Sequence, residues 1–444
     1  MNSICYLLQL VVSAQLAAIL LMAAAILAPL GIIDVRAGES AQAAAPASSA
    51  SEARRLERLV DTHAIHVETA KPGVRMSGYV QASYTQQFAS EGEESLGTTE
   101  NAFRNDFDTN DFNINAIKLV IERPLGEDRT VWDAGFHTDI WFGEDASMFS
   151  AADPAVTPGG DLFLHQAYVN LLVPVGRGVE VRMGKMVSLL GYEGEERPDN
   201  MNYSYGLLNV LFYNGISTGL LGRYRFTESF EITLGTFNSW ESSDGGIFAP
   251  GLPSNPGVTG QALLCTKDGE TSLAWNFAWA PDGGPVAASP AFRENASTLV
   301  VEMCGEWKPQ CVPDKRLTLA FDLGAGYADS GTDSLLGAAA QDSSSWWGVA
   351  LFARYDLTPR LSVRTRCEYA HSDDGGKFIG AAVPGNNADL PTGSIDLWSG
   401  TVTGAYNLYD NVLLRVEYRC DHSQDDAING GNQHQVSVDL TYAF

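Results

Sequence analysis

The 444-residue chain carries 28 Lys+Arg against 54 Asp+Glu, a formal charge of −26, and is 45% hydrophobic but only 18% charged. So much apolar residue excludes intrinsic disorder, and the lack of basic residues excludes a nucleic-acid binder, which needs cations against phosphate. A mean hydropathy of −0.08 is too low for a helical protein with many spans. A membrane β-barrel passes the same test, because its lipid-facing residues alternate with polar ones.

Residues 6–33 are almost wholly apolar and the first basic residue is Arg36. The stretch predicts an export signal over 1–43, with Ala41-Gln42-Ala43 as the small-residue cleavage pattern. An uncleaved inner-membrane anchor is the other reading. Residues 44–73 form an Ala/Ser-rich linker, in which Leu56, Leu59, Val60, His63 and Val67 fall at helical spacing and predict a short helix. Five cysteines lie outside the signal, at spacings that match no zinc pattern.

From residue 74 to residue 444 the hydrophobic period is 2. Val436, Val438, Leu440, Tyr442 and Phe444 alternate with Gln435, Ser437, Asp439, Thr441 and Ala443. About sixteen such segments follow one another, near 74–88, 111–123, 130–143, 162–173, 178–188, 214–226, 229–240, 259–267, 271–280, 296–308, 314–327, 345–356, 359–371, 395–408, 411–420 and 433–444. Most have the length of a tilted membrane strand. Their connections alternate between short (124–129, 174–177, 227–228, 268–270, 309–313, 357–358, 409–410) and long (89–110, 144–161, 189–213, 241–258, 281–295, 328–344, 372–394, 421–432). The long ones hold about 27 acidic and 4 basic residues, so most of the negative charge belongs to one rim. The expected fold is therefore all-β: a transmembrane, antiparallel, up-and-down barrel of about 16 strands with short periplasmic turns and long acidic extracellular loops.

Alternation puts Arg182, Arg223, Arg225, Arg354, Arg364, Arg366, Arg415 and Arg419 on the inner wall, with Asp322, Glu368, Glu417 and Asp439. Glu122 and Asp139 are expected on the same face. Such charges are costly in a dry core but tolerable beside a wet lumen. Trp141, Phe142, Phe226, Phe230, Trp307, Tyr355, Tyr406, Tyr409, Tyr442 and Phe444 are expected to form interfacial girdles. Sixteen strands leave a lumen too wide for side chains to fill, which predicts an aqueous channel.

The stretches GYVQASY, FNINAIKLVIERP, AGFHTDIWFG, LHQAYVNLLVPVGRGVEVRMGKMVSLLGYEGEERPDNMNYSYG, LGTFNSW, WWGVALFARYDLTPRLSVRTRCEYAHSDDG and LYDNVLLRVEYRCDHS, in this order, resemble the outer-membrane β-barrel porins of the OmpL-like group. The resemblance covers most of 74–444 and implies a pore-forming barrel. The long export segment and the cysteines depart from it. By analogy with general porins, the third long loop would fold into the lumen. It would set Tyr192, Glu193, Glu195, Glu196, Asp199 and Asn200 opposite the wall arginines, with a transverse field between them. An ordinary surface loop is the alternative.

Other signals carry less. Gly215-Ile216-Ser217-Thr218-Gly219 matches a nucleophile elbow, but the strand runs on where a helix is required. His137 and Asp139 share one face and read as a hydrogen-bonding pair rather than a metal site. Asp106, Asp108 and Asp111, or Asp373 and Asp374, lack the spacing of a calcium loop. No catalytic residue, metal or cofactor is expected. The expected partners are outer-membrane lipids and small hydrophilic solutes or ions, with no nucleic acid; porins of this size commonly form homotrimers. The main reading is a passive diffusion porin. Its rivals are a non-conducting barrel that anchors the envelope or binds at the surface, an outer-membrane enzyme, and a secreted soluble β protein.

Overall fold

In a segment whose alternate residues are β-branched, aromatic or leucine, an extended backbone places all the apolar side chains on one face. Sixteen long strands form on this pattern in the computed structural model, which describes residues 65–66, 73–88, 110–151, 162–238, 256–281, 293–294, 297–329, 332–333, 343–373, 394–423 and 432–444. They are β1 (Arg75–Phe88), β2 (Asp111–Arg123), β3 (Asp133–Phe142), β4 (Leu162–Val173), β5 (Val179–Val187), β6 (Ile216–Thr227), β7 (Phe230–Phe237), β8 (Gly257–Cys265), β9 (Ser272–Ala280), β10 (Thr298–Trp307), β11 (Leu317–Ala328), β12 (Ser344–Asp356), β13 (Leu361–Ser372), β14 (Ile395–Tyr409), β15 (Val412–Ser423) and β16 (Asn432–Ala443). Each expected segment corresponds to one of them. Two helices, α1 (Glu144–Ala151) and α2 (Leu207–Phe212), lie in connections.

Every strand pairs antiparallel with the next, and β16 pairs with β1, Ala443 against Tyr79 through His434 against Phe88. The ring is closed and no main-chain edge remains. Consecutive antiparallel strands put the short connections at one end and the long ones at the other. The seam is tight at Gly78, whose N–H donates to Phe444 O at 3.0 Å and whose carbonyl accepts from Phe444 N at 2.9 Å. A Cβ on Gly78 would lie 2.0 Å from the Lys118 carbonyl oxygen, so a side chain has no room there.

The barrel is apolar outside and polar inside. On β14, Ser399, Thr401 and Thr403 are buried while Trp398 and Val402 are half exposed. On β15, Arg415, Glu417 and Arg419 are buried while Val416 and Tyr418 are exposed. That is the inverse of a water-soluble protein and suits a wall between lipid and an interior of charged groups. Rings pack along the outer face near the long-loop end, Trp347 on Tyr369 at 5.1 Å and Tyr369 on Trp398 at 4.4 Å between centroids.

One girdle residue is misassigned by the sequence reading. Trp141 is fully buried inside the barrel beside Phe149 and Phe163. It stands two residues from Asp139 and so shares its inward face; Phe142, one step on, is the exposed ring. The signal, most of the linker and its expected helix, and most of the acidic loops, with Asp106, Asp108 and Asp374, fall outside the described residues. Within 56–67 only Ile65–His66 is described, as a two-residue strand paired with Arg75 and Met76. The five described cysteines form no disulfide.

Replacing Gly78 by valine should destabilise the closed barrel by about 3 kcal/mol, the upper end of the cost of overpacking. Urea titration of the refolded protein, read by its heat-dependent shift in gel mobility, measures this.

Candidate functional site

The connection between β5 and β6, residues 188–215, turns into the barrel. Its second half is apolar, and Leu207, Leu208, Leu211 and Phe212 of α2 are buried against Trp346, Ala350, Phe352, Ala370 and Leu397. Its first half is polar and lacks regular secondary structure, so its main-chain groups need partners that water cannot supply there. The wall provides them.

Wall carboxylates accept the N–H groups. Glu302 takes Gly191 N at 2.8 Å, Asp322 takes Tyr192 N at 3.2 Å, and Glu417 takes both Tyr203 N and Ser204 N. Wall arginines donate to the carbonyls. Arg364 reaches Met201 O at 3.0 Å, and Arg366 reaches Ser204 O at 2.7 Å and Tyr205 O at 3.3 Å. Arg415 reaches the carbonyls of Arg197, Asn200 and Asn202 at 2.8–3.2 Å, and Arg419 reaches Tyr205 O at 2.6 Å. Three of these arginines are themselves held by acids, Arg366 by Glu368 at 2.8 Å, Arg415 by Asp439 at 2.8 Å and Arg419 by Asp421 at 2.9 Å, and Arg364 bonds the Ser362 hydroxyl at 3.1 Å.

The acids of the loop meet wall bases directly. Glu193 bonds Arg366 at 2.6 Å, Glu195 bonds His165, and Glu196 bonds Lys118. The sequence reading set these acids across a gap from the arginines. The structure has no such gap at Glu193, and it gives Glu195 and Glu196 a histidine and a lysine instead. The phenol of Tyr192 donates to Glu306 at 3.0 Å, and that of Tyr213 to Asp322 at 2.7 Å. Asn200 bonds both main-chain groups of Gly194, and Asp199 N donates to Glu196 O, which shapes the turn inside the loop. Gly206 fits where a Cβ would lie 2.5 Å from both Glu193 Oε2 and Glu368 Oε1. Burial pushes the Glu193 carboxyl up, with Arg366 opposing and Glu368 adding to the rise. Burial also pushes the Tyr192, Tyr205 and Tyr213 hydroxyls well up, so they remain donors.

A loop that leaves between β5 and β6 is thus bonded to β2 and β4 behind it and to β10, β11, β13 and β15 on the far side. It crosses the lumen from wall to wall. The second loop joins it. Asp145 of α1 holds Arg197 at 3.0 Å, and Arg197 lies over the rings of Tyr203 at 5.0 Å and Tyr205 at 4.2 Å.

Of the expected wall residues, Asp322, Arg364, Arg366, Glu368, Arg415, Glu417, Arg419 and Asp439 gather around this loop. Arg182, Arg223, Arg225 and Arg354 lie apart from it and are partly exposed. Arg223 pairs with Glu180, Arg225 with Glu231 at 3.2 Å, and Arg354 with Asp356 at 2.8 Å. Arg182 bonds Asn170 at 3.3 Å and lies 4.3 Å over the Tyr168 ring. Lys118, His165 and Glu302 escaped the sequence reading. Lys118 and Glu302 were legible, Lys118 by sharing the phase of Glu122, and Glu302 by the alternation of Thr298, Val300 and Cys304. His165 sits beside a register shift that breaks the alternation.

Asp139, His165 and Glu196 place ligand atoms within 4.8 Å of one another. The Lys118 ammonium sits among them, 2.9 Å from Asp139 and bonded to Glu196, so the chain supplies its own cation.

Residues 73–444 match the family model described as "Putative beta-barrel porin-2, OmpL-like". The chain belongs to this family. It is an outer-membrane β-barrel of porin type, and both family and fold are those of a channel. The outer membrane channel DcaP of Acinetobacter baumannii is similar in fold, at 14% identity and a TM-score of 0.53, over 86% of this chain and all of that one. An anion-selective porin from Comamonas acidovorans is 11% identical with a TM-score of 0.52, over 84% of this chain and 99% of that one. OmpT of Vibrio cholerae in a trimer form is 8% identical with a TM-score of 0.50, over the same two shares. No curated protein matches the sequence.

Arg366→Ala should leave Glu193 and Glu368 buried without their cation and cost about 3–5 kcal/mol. Arg182→Ala, at a half-buried site with no acid partner among the described residues, should cost less than about 1 kcal/mol. Parallel urea titrations of the refolded variants in liposomes compare the two.

Proposed function

We propose that the protein is a passive, water-filled diffusion channel for small hydrophilic solutes or ions, in which residues 188–215 set the narrowest passage. The supporting observation is the loop bonded across the interior of a closed sixteen-strand barrel. The short connections face the periplasm and the long ones the exterior, where, leaving out residues 189–213 inside the barrel, about 23 acidic residues against 3 basic ones concentrate cations. The deep arginines are committed to carboxylates and carbonyls, so they attract anions only weakly. Of the arginines beside the aqueous path, Arg223, Arg225 and Arg354 are paired with acids, so the acidic rim outweighs them and a net cation preference follows. The apolar outer face is solvated by outer-membrane lipid, and the barrel assembles as a homotrimer. The chain is not an enzyme: its buried acids and bases bind one another and the loop.

The wall-to-wall bonding also favours a second reading, a barrel whose lumen is blocked and which serves as an anchor or surface-binding protein. Single-channel recording in a planar bilayer under a salt gradient separates the two. Stable steps with a cation-selective reversal potential are expected. Neutralising Glu193, Glu195 and Glu196 together should raise conductance severalfold or weaken the cation preference. Folded barrels that give no steps would establish the blocked reading.

A further inference from the structure

Beside the loop, five titratable groups form one unbroken chain. Glu122 Oε2 lies 3.1 Å from His137 Nδ1, and His137 Nε2 lies 3.3 Å from Asp139. Asp139 lies 3.1 Å from His165 Nδ1, and His165 Nε2 bonds Glu195 of the loop. Glu122 is 29% exposed, whereas Asp139 and His165 are fully buried. The chain therefore runs from solvent to the loop.

Each imidazole stands between two carboxylates. Ionised carboxylates only accept hydrogen bonds, and a neutral imidazole has a single N–H. Both contacts of His137 and both contacts of His165 can be made only by the doubly protonated ring. A neutral His165 would turn a lone pair toward Asp139 or Glu195. Glu195 Oε1 and Glu196 Oε2 are already buried without a partner among the described residues, so Glu195 has no spare donor there.

The surroundings do not compensate. Lys118 faces the cluster from β2, bonded to Asp139 and Glu196. From β4 come Tyr168, stacked on His137 at 5.1 Å, and Gln166, which donates to Asp139. From β5, Arg182 covers Tyr168 and Lys185 lies over Phe163. Asp145 of α1 is spent on Arg197. Arg75 faces Glu122 from β1. Glu122, Asp139, Glu195 and Glu196 thus face Arg75, Lys118 and two imidazoles. The charges balance when both rings are protonated, and two negative charges are in excess when neither is.

We propose that His137 and His165 form a pH-operated clasp on residues 188–215. With both rings protonated, the loop is held to β3 and β4. When the protons leave, Glu195 loses its donor and is repelled by Asp139, that side of the loop comes away from the wall, and the passage widens. This rests on the diffusion-channel reading for its effect on flow, but not for the movement itself.

The test follows the refolded full-length protein from about pH 5 to about pH 10, beyond the ordinary histidine range because the carboxylates on both sides of each ring favour its charged form. Amide exchange of residues 188–215, corrected for the intrinsic rate at each pH, reports the loop; single-channel conductance reports the passage. Protection should fall at least tenfold on the alkaline side, with conductance rising in step. His165→Phe should leave the loop unprotected at every pH. Glu195→Gln, whose amide can donate to a neutral ring and accept from a charged one, should keep it protected at every pH. Loop protection that is the same at both ends of the range in the unaltered protein, or lost on the acid side, overturns the clasp. Loss of protection that persists in Glu195→Gln overturns it too, even if His165→Phe fails to fold. Barrels silent at every pH would dismiss the diffusion reading, while exchange still decides the clasp.

Discussion

A strand that crosses lipid must find a partner for every main-chain N–H and C=O, because hydrocarbon offers none. The pairing of β16 with β1 meets that demand for the whole ring. Closure then decides the chemistry of both faces. Outward residues meet lipid and are valine, leucine, tyrosine and tryptophan; inward residues enclose a space wide enough to hold residues 188–215. Arg415 and Glu417 can stand on a membrane strand only because that space exists.

The same rule governs the chain within the lumen. Residues 188–206 have no ladder of their own, and the wall takes the place of one. Three wall carboxylates accept loop N–H groups, and four arginines donate to loop carbonyls. Buried ion pairs alone are weak support for a fold, since desolvation consumes much of their attraction. Here each arginine spends its spare donors on the main chain, so the ions act as hydrogen-bonding scaffold. A guanidinium suits this, with five N–H groups in a rigid fork. Arg415 holds Asp439 with two of its nitrogens and three carbonyls with a third.

The strands were legible because period 2 is a local signal repeated sixteen times, and the inward arginines followed from it residue by residue. Trp141 was legible by the same rule once Asp139 was placed, and fails only when aromatic identity is allowed to outrank parity. What the loop does was less legible. Glu193 opposite Arg366 follows from acids near a basic wall, but nothing local pairs Glu195 with His165 or Glu196 with Lys118. Those partners lie on the near wall, 30 and 78 positions before the acids they hold, and the register shift beside His165 hides its facing. Helix α1 was missed because its eight residues sit in a connection with no apolar period; Asp145, through Arg197, and Phe149, edge-on to Tyr205 at 6.1 Å, tie it to the site.

The loop's partners also bear on the order of assembly. Residues 197–205 bond Arg415 and Arg419 across more than 200 positions of sequence, yet the β16–β1 seam joins Gln81 to Asp439 across 358. Closing the longer stretch costs more chain entropy, so by that measure the seam is the harder contact to make. The loop's partners on β10, β11, β13 and β15 all precede the last strand, and the interior chain is a brace that the sheet can gather before its ends meet.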